Sequence, residues 1–385
     1  MDFNSIAINY DEISQSVLNI EDKNRKNLFS WNGQFSPQFV EAELNKYAKE
    51  DFFVLDTFAG SGTVLYESAR KGIKAYGVEL NASAYYISKV YELCNLDIAE
   101  REIIIEDINV ILDSLKEKKD LVEYLVSFKY KNDNMKNIIY LLIILMDIYN
   151  KEVSFEYLNK KWEILKEKII SLPYSNSLIK VKNGDARKLE LEDNSVDLVL
   201  TSPPYINVLN YHQKYRASVE KLGFNVLDIA KSEFGSNRKN RGNRFYTVIQ
   251  YCIDIALSLK EVNRVCKSDA RMIYVVGRES KVLGCTFCNS ELVYNIGTQI
   301  FNFDLLLRQE RVFKNRFGQM IYEDILHFQN SEIVSIPDEV IISKARDIAV
   351  DMLKKTNIVD DKNIKLLEQA ISNASLIKPS ELKNY

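Results

Sequence analysis

Two rhythms of apolar and polar positions alternate along this chain. Short apolar runs bounded by glycine or an acid read as buried strands, and apolar residues spaced three and four apart read as helices. Ser36-Pro37 reads as a helix cap with proline at the first helical position, and that helix runs through Phe39, Val40 and Leu44. Phe52 to Leu55 is then a strand ending at Asp56. The loop Phe58-Ala59-Gly60-Ser61-Gly62-Thr63 and a helical pattern from Val64 to Ala69 follow it. Lys74 to Val78 is a second strand ending at Glu79, and a helix from about Asn81 carries Ala84, Ile87 and Val90. This β-loop-α-β-α order is the opening of a doubly wound parallel sheet.

From Leu96 to Leu172 glycine and proline disappear. Lys, Glu, Leu and Ile at helical spacing predict an all-helical insertion there, its apolar stripes forming core. Strands resume at Leu178 to Val181, before Asn183-Gly184-Asp185-Ala186, and at Val196 to Leu200, before Thr201-Ser202-Pro203-Pro204-Tyr205. A polar stretch from Asn207 to Asn243 leads to a helix from about Tyr246 to Val265 and a fifth strand, Arg271 to Val276. Phe303 to Phe313 and Asp324 to Phe328 read as a closing antiparallel pair, and the tail beyond Pro337 as charged helix. The expected fold is α/β: a doubly wound Rossmann-like sheet, mostly parallel with an antiparallel closing strand, plus the helical insertion. Residues 1–95 and 176–332 form the main domain, 96–175 the insertion and 333–385 the helical tail.

Composition narrows this only a little. A net charge of −3 gives no global nucleic-acid signature. Five scattered cysteines include one CxxC pair, Cys285 and Cys288, without a second pair or a nearby His to complete a metal site, so structural thiols and no metal are expected. No signal peptide is visible, and the apolar run Ile138 to Met146 is too short to span a bilayer. A cytoplasmic protein with reduced thiols and no membrane partner is expected.

The strand ends carry the chemistry. Glycines after the first strand admit a ligand that a β-carbon would block. Gly60-Ser61-Gly62-Thr63-Val64-Leu65 lacks the third glycine of a dinucleotide loop and the lysine of a P-loop, so it suits a nucleoside without a pyrophosphate; S-adenosylmethionine is such a ligand. Glu79 can accept both hydroxyls of a ribose. Asp185 can accept from an adenine amine, or can close an Asx-turn after Gly184. In the turn Ser202 to Tyr205, the prolines remove ladder donors and fix the backbone. The Ser202 hydroxyl and the Pro203 carbonyl can accept hydrogens from an exocyclic amine and localise its lone pair for methylation. Tyr205 offers a face on which a base can stack, worth about 1–3 kcal/mol.

These residues resemble the amino-group DNA methyltransferases, cytosine-N4 or adenine-N6 enzymes, in the subgroup with an SPPY turn. The family's glycine motif is similar to Asp56-Thr57-Phe58-Ala59-Gly60-Ser61-Gly62-Thr63, its ribose acid to Glu79, its adenine-contacting acid to Asp185, and its catalytic tetrapeptide to Ser202-Pro203-Pro204-Tyr205. Phe29 to Pro37 resembles its methionine-binding segment, with Gln34 where a basic residue is often found. The resemblance covers about residues 24–94 and 178–330. It implies a Rossmann-like methyltransferase sheet, S-adenosylmethionine as cofactor, and a cofactor site made of Trp31, Gln34, Phe35, Asp56, Phe58, Gly60, Gly62, Thr63, Glu79, Leu80, Asp185 and Ala186. Ser202, Pro203, Pro204 and Tyr205 would be catalytic, and serine at the first position is characteristic of the cytosine-N4 members.

Arg238, Lys239, Arg241 and Arg244 lie among Gly and Asn with no acid between them, as a phosphate-contacting loop would, although an ordinary solvated loop has the same look. His212 reads as a packing residue rather than part of a base pocket. DNA is the expected partner, with its target base flipped from the duplex. A homodimer or a cognate restriction enzyme is a further candidate partner, and the insertion could serve target recognition or dimerisation. Two rivals stand: an RNA base-amine methyltransferase, and a non-catalytic nucleic-acid-binding subunit.

Overall fold

The computed structural model describes residues 3–149, 153–206, 211–235, 240, 242–315, 318–330, 335–356 and 360–383. Five strands run parallel: β1 (Phe53–Asp56), β2 (Lys74–Glu79), β3 (Ile179–Asn183), β4 (Val196–Thr201) and β5 (Cys266–Gly277). A small hairpin follows, β6 (Glu279–Val282) with β7 (Cys285–Cys288). Then β8 (Asp304–Lys314) and β9 (Met320–Gln329) close the main sheet in the order β3-β2-β1-β4-β5-β9-β8. β9 is antiparallel to both its neighbours. The sheet is thus mostly parallel with an antiparallel closing strand.

Strand periodicity sorts side chains between two cores. Val54, Leu198, Leu200, Ile273 and Val275 join the core that holds Phe39, Leu44 and Leu65. Leu55, Val199, Met272, Tyr274 and Val276 join the opposite core, with Ile249, Ile253, Leu292 and Ile348 from the helices Phe245–Val265, Asn289–Phe301 and Asp338–Lys354. The region 96–172 is helical, as its spacing predicts, with helices Ile98–Asp113, Leu121–Ser127, Asp133–Leu145 and Phe155–Ile170. The first of them starts on a capping box between Asp97 and Glu100. Their apolar faces, Ile108, Leu142 and Trp162 among them, belong to the same core as Val54 and Ile273. The buried Arg101 guanidinium donates to the carbonyls of Leu96, Ile169, Leu172 and Pro173, joining the start of the insertion to its end.

Three elements differ from the sequence reading. β5 begins at Cys266 rather than Arg271, because Cys266 pairs with Val196 across a register shift that the polar Lys267-Ser268-Asp269 conceals. β9 begins at Met320 rather than Asp324, because its exposed and half-buried first residues, Met320 to Tyr322, still pair with β8. The β6–β7 hairpin turns at Leu283 and Gly284, both at positive φ, and β7 carries the CxxC pair as free thiols. Among the described residues no helix is long and apolar enough to cross a membrane.

The five parallel strands end on Asp56, Glu79, Asn183, Thr201 and Gly277. The winding therefore puts these five residues along one edge, where open α/β sheets hold ligands.

Candidate active site

A cavity opens at that edge. Its wall includes Trp31, Gln34 and Phe35 from the segment before β1, and Asp56, Phe58, Gly60 and Thr63 from the glycine loop. Glu79, Leu80, Asp185 and Ala186 come from the ends of β2 and β3, and Ser202 and Pro204 from the turn after β4. The structure thus brings together nearly every residue expected around a nucleoside cofactor. Gly62 stands behind the wall. It caps the helix Thr63–Lys71 at φ 81°, and a β-carbon there would lie 2.8 Å from Ser88 Cβ and Tyr91 Cδ2. Backbone conformation and close packing both require glycine at this position.

Glu79 ties the loops after β1 and β2 together. Its Oε2 accepts from Gly60 N–H at 2.7 Å and its Oε1 from Asn81 N–H at 2.7 Å. Burial pushes its carboxyl up to about 7, against the pull of those two donors. Each oxygen keeps lone-pair capacity for a ligand hydroxyl. Asp56 is buried and pushed up to about 7 by the same cause, opposed by donors from Thr201 and Phe58. Gln34 Oε1 accepts from Trp31 N–H and Ser61 Oγ, so its carbonyl end is committed to holding the methionine-like segment on the glycine loop.

Asp185 forms a buried clamp. Arg187 donates from Nε and Nη2 to its two oxygens at 2.9 and 2.6 Å, and Arg187 N–H closes an Asx-turn onto Oδ1. The Arg187 Nη1 reaches Asp254 Oδ1 at 2.8 Å and the Ser380 carbonyl at 2.9 Å. Ser380 also donates to Asp254 from N and Oγ. The tail of the chain therefore supports the acid that lines the cavity, a link that no local pattern announces.

In the turn after β4, Pro203 is buried and Ser202 Oγ lies 3.3 Å from Tyr205 Oη. The Tyr205 ring rests on Gly277, where a β-carbon would come within 2.6 Å of the ring. Glu233, Phe234 and Gly235 also line the cavity, and sequence reading passed over them. Glu233 Oε2 pairs with buried His212 Nδ1 at 2.8 Å, while its Oε1 is buried without a partner. Phe234 meets Phe58 edge-on at 5.4 Å. The one local hint was an acid followed by an aromatic and glycine inside a polar stretch. Arg238, Lys239 and Arg241 lie outside the described residues. Arg244 precedes the helix Phe245–Val265 and has a buried Nε without a hydrogen-bond partner.

Residues 9–90 match the sequence profile of the N6/N4 DNA methylase family. That span holds the segment Phe29 to Pro37, the glycine loop and Glu79, and it ends before the turn Ser202 to Tyr205. Two relatives extend the likeness. The type II methyltransferase M.MjaII of Methanocaldococcus jannaschii is 24% identical over 181 residues, covering 46% of this chain and 31% of that protein. M.AvaI of Nostoc sp., also a type II methyltransferase, is 21% identical over 291 residues, covering 58% of this chain and 59% of its own length. Over residues 9–90 the chain is similar to the N6/N4 DNA methylase family. It spans about a third to three fifths of the length of these two relatives. Among solved structures, a SAM-dependent methyltransferase of Methanosarcina mazei is 13% identical with a TM-score of 0.34, covering 74% of this chain and 96% of that one. A likeness that loose adds nothing to the sheet order, which stands by itself.

The Arg187 clamp sets a test of the cavity's support. Arg187→Leu strands two buried carboxylates and should cost about 3–5 kcal/mol in denaturant unfolding. Asp254, raised by burial to about 6 even beside Arg187, can protonate once the guanidinium is gone. A carboxyl raised in the folded state favours folding at low pH, so the loss should be smaller at pH 5 than at pH 8.

Proposed function

We propose that this methylase acts on DNA at an exocyclic base amine, cytosine N4, within a restriction-modification system in the cytoplasm. The observation that carries the reading is that Ser202 and Pro204 share one cavity wall with Glu79 and the glycine loop. Cofactor site and amine-binding turn therefore open onto the same space.

When bound, S-adenosylmethionine supplies an electrophilic methyl group on a sulfonium. The residues present suit it. Glu79 can accept from the ribose hydroxyls, and Asp185, held by Arg187, retains lone pairs for the adenine amine. The orphaned Glu233 oxygen is an acceptor in the wall that still lacks a donor. On the substrate side, Ser202 Oγ and the Pro203 carbonyl take the hydrogens of the target amine and localise its lone pair. Tyr205 stacks on the flipped base. Arg238, Lys239, Arg241 and Arg244 contact phosphate, a role supported by their charge and by their place in the chain after the turn. Serine at position 202 favours cytosine over adenine, through the family resemblance.

Two outcomes test this. Glu79→Ala should weaken cofactor binding by about 1–3 kcal/mol in calorimetry. Glu79 stands at about 7 instead of its ordinary 4.5, a shift that stabilises the fold below pH 4.5 and is lost as pH rises through 7. Ribose hydroxyls are donors and prefer the carboxylate, so affinity should rise as pH is raised to about 7 and level off above it. In Glu79→Gln that part of the pH dependence should vanish.

Ser202→Ala should spare cofactor affinity and slow methyl transfer by about tenfold to a thousandfold, as loss of one preorganised polar group does. Mass spectrometry of digested product DNA should find N4-methylcytosine. N6-methyladenine would keep the mechanism and overturn the base, and methyl on cytosine C5 would overturn both.

A further inference from the structure

Among the described residues, the Tyr205 hydroxyl touches partners whose chemistry is unequal. Ser202 Oγ lies 3.3 Å from Tyr205 Oη on one side, and Tyr205 Oη donates to Glu323 Oε1 at 3.3 Å on the other. Both distances are longer than the usual range of about 2.5–3.0 Å between hydroxyl and oxygen, and catalytic contacts often tighten only when substrate binds.

The sheet arranges this contact. Glu323 on β9 is the register partner of Gly277 on β5 and of Arg311 on β8. Gly277 has no side chain, so the Tyr205 ring lies over it and its hydroxyl reaches the next residue in the row. On the far side, Arg311 Nε stands 3.4 Å from Glu323 Oε2, an ion pair between two largely buried side chains. Arg311 pairs with the oxygen that faces away from Tyr205.

Proton counting then fixes a direction. An ionised carboxylate only accepts, and a phenol has one proton to give. Tyr205 gives that proton to Glu323, so toward Ser202 it can only accept. Ser202 must therefore donate to Tyr205, which leaves the lone pairs of its oxygen for the incoming amine. Without this ordering Ser202 could turn its own proton toward the amine and repel it.

We propose that Glu323 is a positioning residue that orders the hydroxyl chain Ser202–Tyr205–Glu323, so that Ser202 meets the target amine purely as an acceptor. The inference rests on the reading of Ser202 as an amine acceptor. It goes beyond that reading in giving Tyr205 a polar task besides stacking, and in assigning a task to a strand that the catalytic motif does not contain.

The experiment is a double-mutant cycle on the full chain. Single-turnover transfer is measured from labelled S-adenosylmethionine to plasmid DNA from a host without base-amine methylation. Tyr205→Phe keeps the stacking ring and removes the hydroxyl. It should lower the rate at saturation about five- to tenfold, the scale of one ordinary hydrogen bond, with DNA and cofactor KM unchanged. Glu323→Gln places an amide beside Arg311. The amide turns its oxygen to the guanidinium and its NH2 to Tyr205, which reverses the chain, so a similar loss is expected. Together the two changes should cost no more than Tyr205→Phe alone, because the task of Glu323 passes through that hydroxyl. Multiplicative losses, or a wild-type rate in Tyr205→Phe, would overturn the proposal and leave Glu323 as a structural partner of Arg311. Ser202→Ala in the same series separates the two levels. If it runs at the wild-type rate, the acceptor reading itself falls and takes the relay with it. If it is slow while the losses multiply, only the relay falls.

Discussion

One buried hydroxyl joins the two halves of this site. Thr201 closes β4 immediately before the turn Ser202 to Tyr205 and is fully buried. Its Oγ1 donates to Asp56 Oδ1 at 2.7 Å and accepts from Phe58 N–H at 3.2 Å and from Thr57 Oγ1 at 3.3 Å. A threonine hydroxyl offers one donor and two acceptor positions, so every position is used. The partners are the last residue of β1 and the first residues of the glycine loop. The loop that would hold the cofactor and the turn that would hold the amine are thus fixed to one atom. Methyl transfer demands such a fixed relation, because misplacement of reacting groups by an ångström is costly.

The cavity around this joint is acidic. Asp56, Glu79, Asp185 and Glu233 all contribute to its wall. The carboxyls of Asp56 and Glu79 are lifted to about 7 by burial. Arg187 answers Asp185, and His212 answers one oxygen of Glu233. An arrangement of this kind suits a ligand that brings positive charge and several donors, which a sulfonium nucleoside with an amino group does.

Much of this was legible in the sequence, and the reason is locality. The glycine loop, Glu79, Asp185 and the Ser202–Tyr205 turn each follow a strand run, so each strand announces its own candidate at the cavity edge. The helical insertion was legible because Leu96 to Leu172 holds neither glycine nor proline and keeps helical spacing. What escaped depends on strand order or on distant chain. Glu323 matters because β9 inserts between β5 and β8, which aligns it with Gly277 and Arg311. Ser380 matters because the tail returns to Asp254 and Arg187. Glu233 reaches the cavity from a segment with no periodic pattern. The role of Gly277 was invisible for a related reason: what it makes room for is the ring of Tyr205, from another part of the chain.

The central claim is that cofactor loop and catalytic turn behave as one joint through Thr201. Thr201→Val keeps the shape of the side chain and deletes the hydroxyl, leaving Asp56 and the Phe58 N–H without it. The direct measurement takes cofactor affinity and single-turnover transfer rate from one preparation of this variant, shown to be folded. The account predicts that both fall together, affinity by about 1–3 kcal/mol for the lost buried hydrogen bonds. A folded variant in which one quantity falls while the other stays at the wild-type value would contradict it.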